Sequence, residues 1–288
     1  MPDTRVPNEI ADWMMERSWG EHHDQWHWER RWDFWNAVLQ RPNLPPGWRE
    51  WIETKFADAA SKGWHRAAFQ EGEQGNGEDF LFMHRAMIEL LVHEFPQHLH
   101  LFRGWEVPPD NYQDSLDPVP VPNPEPKEEC APLRKEICAA KVAGIKAIQT
   151  EHNLFSDDDS YGLFVQTQNR PTAADPLARS DDDRTGVHNY LHGRWSGIST
   201  DLDLGDPRVN ILNTRFWRLH GWIDHQWWRF RQHQNADDTA PEYQSKLRFY
   251  KEMMDRKPDH HGVHSFPEVL LSLRKKPSMN AFVDLVQL

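Results

Sequence analysis

Apolar residues three or four positions apart recur in several segments of this chain, and that spacing places them on one face of an α-helix. The clearest example is FLFMHRAMIELLVHEF at 80–95, which is followed by Pro96, a residue that cannot continue a helix. The same spacing predicts a helix over 26–40 and another over 48–69 that is interrupted near Gly63. We therefore expect a mainly α fold, built as a helical bundle in a single domain.

Further helical segments alternate with polar stretches along the rest of the chain. Helices are predicted over 127–150, 185–196, 216–232 and 243–255. Strand signals are sparse, and the best of them, at 162–166, lies within a polar segment, 151–184, that otherwise predicts loop. Residues 71–79 form a glycine-rich loop, in which Glu78 or Asp79 could cap the following helix.

Composition excludes several classes of protein. A net charge of -12 argues against a nucleic-acid partner, because binding to phosphates requires clustered lysine and arginine. No apolar run approaches the roughly 20 residues of a membrane span, and no signal peptide is visible, so we expect a cytoplasmic protein with no membrane partner. The two cysteines, Cys130 and Cys138, are too few for a disulfide scaffold or a cysteine-rich zinc site.

Histidine is unusually abundant, with 17 residues, and imidazole is the commonest metal ligand in proteins. Three histidine pairs have the i, i+4 spacing that places both rings on one helical face: His23/His27, His188/His192 and His260/His264. Spacing alone does not choose among these pairs. The N-terminal group of His22, His23 and His27 lies among charged residues, so we expect it to form a solvated face.

Two of the helical segments resemble each other, because in each a phenylalanine precedes a histidine by four residues and an acidic residue follows. The pairs are Phe80/His84, in a segment where Arg85 follows the histidine, and Phe216/His220, in FWRLHGWIDHQWWRF with Asp224 four residues on. Upstream of the second segment, VHNYLHGRWSG places His188 and His192 on one helical face, where both rings can chelate one ion.

These motifs resemble those of the type 3 copper proteins, specifically the tyrosinase and catechol oxidase family. The resemblance implies a tyrosinase-like helical bundle around two copper ions, each held by three histidines. The ligands implied are His65 (in KGWHRAAF), His84 and His93 for copper A, and His188, His192 and His220 for copper B. It also implies a copper A half at about 20–105, a proline-rich connection at 107–127, a copper B half at about 128–235 and a C-terminal extension at 236–288.

The function implied by the resemblance is oxidation of a small phenolic, o-diphenol or o-aminophenol substrate to a quinone-type product, with dioxygen as co-substrate. Asn189 would orient a water that deprotonates the phenol, and Arg194 would steer an anionic group of the substrate. The family's glutamate partner of that asparagine is replaced by Arg179, which favours oxidation of diphenols over ortho-hydroxylation of monophenols. Related bacterial enzymes also suggest a copper-delivery helper protein as a partner.

Physical considerations leave other possibilities open. Nine residues on a regular helix rotate through about half a turn beyond whole turns, so His84 and His93 share an ion only if His84 lies at the helix edge. A mononuclear zinc-type hydrolase could use His188, His192 and one more histidine. A tyrosinase-like accessory or oxygen-binding protein without catalysis is the remaining alternative, and metal identity separates the hydrolase from the oxidase.

Overall fold

In the computed structural model, the described residues are 5–42, 44, 46–108, 143–166, 186–194 and 202–255. Their regular structure is helical, apart from an isolated antiparallel bridge between Arg5 and Asn213. The helices are α1 (Asn8–Glu16), α2 (Trp19–Arg30), α3 (Trp32–Leu39), α4 (Trp48–Ser61), α5 (Asn76–Glu94), α6 (Leu99–Phe102), α7 (143–150), α8 (Asp158–Gln166), α9 (Val187–Arg194), α10 (Thr214–His233) and α11 (Pro241–Asp255). Short 3₁₀ turns occur at Pro96–His98, His152–Leu154 and Asn210–Leu212. The predicted mainly α class is confirmed.

The chain divides into two compact units, each assembled from separate stretches of sequence. Unit 1 contains the described parts of Met1–Glu71, Ser196–Phe216 and Glu252–Leu288, and unit 2 contains those of Gly72–Trp195 and Trp217–Lys251. No helix in the described ranges is long and apolar enough to cross a membrane. The expectation of one domain over the whole chain stays a prediction.

The strongly periodic segments form the helices that the sequence predicts. Helix α5 ends at Glu94, directly before Phe95 and Pro96, and α10 and α11 cover the predicted segments near residues 216 and 243. The predicted helix at 26–40 is instead two helices, because the backbone of Arg31 leaves helical geometry between α2 and α3. The predicted helix at 48–69 ends at Ser61, before the left-handed Gly63. Of the segments at 107–127 and 127–150, residues 109–142 lie outside the described residues.

The predicted strand at 162–166 is wrong, because these residues belong to helix α8. A Cβ atom added to Gly162 would lie 2.1 Å from the backbone oxygen of Gly77, so glycine here permits a close crossing of α8 and α5. The predicted cap of α5 by Glu78 or Asp79 is also wrong, because both residues lie inside the helix. The carboxylate of Asp159 caps α5 instead, accepting hydrogen bonds from the Gly75 and Glu78 N–H groups at 2.8 and 3.1 Å.

Unit 1 is organised around tryptophan. The indole rings of Trp28, Trp35 and Trp48 are buried and stack in sequence, with interplanar angles of 17° and centroid distances of 5.8 and 6.3 Å. Beside them a buried ion pair joins Lys55 on α4 to Asp24 on α2. Burial lowers the pKa of Lys55, although the Asp24 carboxylate opposes that shift. The aromatic excess of the N-terminal segment therefore serves packing.

Unit 2 is built around α5, which is buried along most of its length and packs closely against α8. Helix α10 brings Trp217, Trp222 and Trp227 into the same core, all with no measurable exposure. The loop after α6 lies directly on α10, where the Trp105 N–H donates to the Arg218 carbonyl at 3.2 Å. This packing fixes the positions of α5 and α10, the two helices that carry the Phe/His motifs.

Candidate metal centre

Four histidine rings converge inside unit 2, and we call them the histidine cluster: His84 on α5, His188 and His192 on α9, and His220 on α10. The ligand nitrogens of His84, His188 and His220 all lie within 4.8 Å of one another, and all three residues are buried. The His84 and His220 rings stack with centroids 3.9 Å apart and an interplanar angle of 5°.

His84 is held in one tautomer by its own helix. Its Nδ1–H donates to the Phe80 carbonyl at 2.8 Å, and because a carbonyl only accepts, the lone pair must be on Nε2. The Phe80 ring also packs against His188, with centroids 4.7 Å apart. The phenylalanine four residues before the histidine therefore orients one ring and supplies an apolar wall to another.

Helix α9 presents His188 and His192 on the same face, as the i, i+4 spacing predicts, with ring centroids 4.4 Å apart. The Nδ1–H of His188 donates to Oδ1 of Asn189 at 2.8 Å, which places the His188 lone pair on Nε2. A hydrogen bond of this kind to the second ring nitrogen is typical of metal-binding histidines, because it fixes the tautomer and the ring orientation.

The spacing of the ring nitrogens fits a metal ion. Nε2 of His192 lies 3.3 Å from Nε2 of His220. When two nitrogens bind the same metal ion at about 2.0–2.1 Å and the nitrogen–metal–nitrogen angle is near tetrahedral, the nitrogens are about 3.3 Å apart. A donor set made only of imidazole suits copper, zinc, iron or nickel and disfavours calcium and magnesium, which prefer oxygen ligands.

An ion pair between a buried arginine and a half-buried aspartate joins α5 to α10 beside the cluster. Arg85, the residue after His84, donates from Nε to the Asp224 carboxylate at 2.6 Å and from Nη1 to the Tyr243 hydroxyl at 2.6 Å. Its guanidinium stacks on Trp227 at 3.8 Å. Burial alone would lower the pKa of Arg85, but Asp224 and Tyr243 raise it, so the guanidinium stays charged. Since Asp224 follows His220 by one helical turn, this pair fixes the register of two ligand-bearing helices.

Two of the predicted ligands lie elsewhere. His65, in unit 1, has 81% of its side chain exposed and lies 3.7 Å from the Glu29 carboxylate. His93 is exposed near the end of α5. His84 lies in the middle of this regular helix and not at its edge, so nine residues turn His93 to the opposite side. The exposure of both rings is unusual for ligands of a buried metal site, and the copper A set of His65, His84 and His93 stays a prediction.

A second histidine pair, expected on a solvated face, is buried in unit 1, so that expectation was wrong. His23 and His27 on α2 have 0% and 5% exposure, and their Nε2 atoms are 3.1 Å apart. Nδ1–H of His23 donates to the Pro207 carbonyl at 2.9 Å, and burial lowers the pKa of His23 from 6.5 to about 4. The i, i+4 spacing of His23 and His27 indicated that the two rings lie together, but their charged neighbours in the sequence suggested an exposed face.

The remaining predicted site residues fall at the border of the described structure. Asn189 lies beside His188, half-buried, whereas the side chain of Arg194 lies outside the described residues. Arg179 lies outside them as well, and so do His260 and His264.

Comparison of the chain with protein-family models, with curated proteins and with solved structures found no significant match. The case for a metal centre therefore depends on the arrangement of the imidazoles and on the hydrogen bonds that orient them.

Proposed function

We propose that this protein is a copper-dependent oxidase of the tyrosinase and catechol oxidase type, which uses dioxygen to oxidise a small phenolic, o-diphenol or o-aminophenol substrate. The observation that carries the proposal is the convergence of His84, His188, His192 and His220 in the interior of unit 2. Three of these imidazoles are buried and the fourth, His192, is half-buried; apolar side chains would pack such an interior better, and an all-imidazole donor set suits copper.

In this proposal His188, His192 and His220 hold one copper ion, and His84 contributes an imidazole to the same cluster. Two ions per chain require further donors. His23 and His27 are the other buried histidine pair with adjacent Nε2 atoms in the described structure, so we assign them as candidate donors for the second ion. His65 and His93 are exposed, which argues against the copper A set that the sequence suggested.

Copper, when bound, would supply the one-electron redox steps and the binding of dioxygen. The protein's part is to orient the histidine rings and to exclude water from the cluster. The Phe80 carbonyl and the Asn189 side chain hold His84 and His188 in the tautomer that directs Nε2 at a metal, and the Phe80 ring shields the cluster. Asn189 is also the residue proposed to orient the water that accepts the phenol proton. Steering of an anionic substrate by Arg194, hydroxylation of monophenols and a copper-delivery partner stay predictions.

The test is the metal content of the purified protein after copper reconstitution, with a spectrum recorded after reduction and re-exposure to oxygen. We expect bound copper, a near-ultraviolet absorption band that depends on oxygen, and oxidation of a catechol. His220→Ala and His188→Ala should lose copper and activity, whereas His93→Ala, a histidine of the same helix as His84, should keep both. A fully loaded and active His220→Ala variant would refute the proposal.

The near-tetrahedral spacing of His192 and His220 also fits zinc, so a mononuclear hydrolase is the second candidate. Zinc retained in preference to copper, with no oxygen-dependent spectrum, would favour it. Copper loading with reversible oxygen binding but without turnover would instead indicate an oxygen-binding or accessory protein.

A further inference from the structure

Unit 2 contains a cavity of about 480 Å³ beside the histidine cluster, which we call the side cavity. Two helices form its walls with the same spacing: Arg85, Ile88, Glu89 and Val92 on α5, and Gly221, Asp224, His225 and Trp228 on α10. On each helix the first of these wall residues directly follows a histidine of the cluster: Arg85 follows His84, and Gly221 follows His220. Since one residue rotates by about 100° on a helix, the cavity lies about a quarter turn from the cluster on both helices.

An exposed aromatic platform lies at the cavity wall. Trp228 has 46% of its surface exposed, although the other tryptophans of α10 are fully buried. The His225 ring stacks on the Trp228 ring with an interplanar angle of 21° and centroids 5.8 Å apart, which restrains the indole orientation. Apolar residues, including Val92, Leu99 and Phe102, complete a surface suited to a planar ring.

Among the described charged residues that line the cavity, one cation remains available for a ligand. Its three carboxylates already have ion-pair partners at 2.6 Å: Glu89 with Lys251, Asp224 with Arg85, and Asp238 with Arg231. For Arg103, which is exposed, no ion-pair partner is found among the described residues. The lining therefore favours an anionic ligand, and guanidinium groups bind carboxylates well because the two groups match in geometry.

The backbone next to Arg103 packs tightly against helix α10. The neighbouring Gly104 has φ of +80°, and a Cβ atom at this position would lie 2.0 Å from the Trp222 backbone nitrogen. The Trp105 N–H donates to the Arg218 carbonyl on α10. The backbone beside Arg103 is thus fixed against the helix that also carries Trp228, so the cation and the aromatic platform belong to one preformed wall.

We propose that the side cavity binds a planar aromatic carboxylate, whose ring stacks on Trp228 and whose carboxylate pairs with Arg103. The volume is within the range of about 300–1,000 Å³ that small-molecule sites occupy. The cluster histidines are not among the residues that line this cavity, so the site does not depend on the proposed oxidase function.

The probe is 2-naphthoate, a planar carboxylate without a phenol group, titrated by calorimetry into the metal-free full-length protein. We expect saturable binding of one probe per chain. Arg103→Gln and Trp228→Ala should each weaken binding about tenfold, which corresponds to about 1.4 kcal/mol. The neutral 2-naphthamide should bind more weakly than the acid to the wild type, and this difference should vanish in Arg103→Gln.

Matched controls come from α11, where Phe249 is 57% exposed and Arg248 is exposed, and neither lines the cavity. Phe249→Ala and Arg248→Gln should bind 2-naphthoate as the wild type does. His220→Ala should also retain binding, which distinguishes the side cavity from the histidine cluster. The proposal is overturned if no saturable binding occurs, if His220→Ala abolishes it, or if the control variants weaken it as much as Arg103→Gln and Trp228→Ala do.

Discussion

The buried pair between Arg85 and Asp224 allows a quantitative test of how unit 2 is held together. The Arg85 side chain is 5% exposed and that of Asp224 is 28% exposed, with Nε and Oδ1 2.6 Å apart. Removing one partner of a buried pair leaves an uncompensated charge and costs about 3–5 kcal/mol. Because Asp224 is partly exposed, water can reach the remaining guanidinium, so we expect Asp224→Ala to lower the free energy of unfolding by about 3 kcal/mol, at the lower end of this range.

Two further variants separate charge from hydrogen bonding. Tyr243→Phe removes one neutral donor–acceptor group from the guanidinium and should cost about 1.5 kcal/mol, the lower figure for a hydrogen bond to a charged group. The double replacement Arg85→Met with Asp224→Leu leaves no unpaired charge, so it should cost less than Asp224→Ala alone. A double-mutant cycle with Arg85→Met should therefore be strongly non-additive.

The assay is urea unfolding of the metal-free protein, followed by far-ultraviolet circular dichroism. Glu78→Ala is the matched control, because Glu78 lies on the same helix and pairs with Lys246 at 2.6 Å, but both side chains are about one-third exposed. An exposed pair of this kind contributes at most about 1 kcal/mol. If Asp224→Ala costs no more than Glu78→Ala, the pair does not stabilise the α5–α10 interface as argued.

Three other predictions follow from the described geometry. His65→Ala and His93→Ala should leave the metal content of the purified protein unchanged, measured by elemental analysis, because both rings are exposed; metal loss in either variant would restore the copper A set suggested by the sequence. Burial lowers the pKa of His23 from 6.5 to about 4, so the unfolded chain binds the proton more readily; the metal-free protein should lose up to about 3 kcal/mol of stability as the pH falls from 6.5 to 4, at 1.36 kcal/mol per pKa unit. His23→Gln should flatten that part of the urea-unfolding profile, and an unchanged slope would contradict the assignment. Gly104→Ala should lower the thermal midpoint by several degrees or prevent folding, because its Cβ would meet the Trp222 backbone and its φ is positive; a variant as stable as the wild type would show that this loop yields easily.

The helical class and the longest helices can be predicted from the amino-acid sequence alone. The three- to four-residue spacing of apolar side chains and the position of Pro96 predicted α5, and the same spacing predicted α10 and α11. It also predicted that His188 and His192 lie on one helical face, because that relation depends only on residues within a single helix. These are local properties, which neighbouring residues specify without reference to the rest of the chain.

Which histidines lie close together depends on how the helices pack, and the sequence does not predict it. His84, His188 and His220 converge because α5, α9 and α10 pack together, and no local spacing encodes that arrangement. His93 was predicted beside His84 but is exposed, because the buried face of α5 is chosen by its neighbours in unit 2.

Helix α8 also makes contacts with residues that are distant in the sequence. Its close crossing with Gly77 and the capping of α5 by Asp159 both join residues more than 80 positions apart in the sequence. His23, among charged neighbours in the sequence, is buried because its ring packs against Phe216 and donates to the Pro207 carbonyl, which lies 184 residues away. The periodicity of apolar residues predicts the secondary structure of a segment. Which side chains are buried, and which contact each other, depends on packing between segments that are remote in sequence.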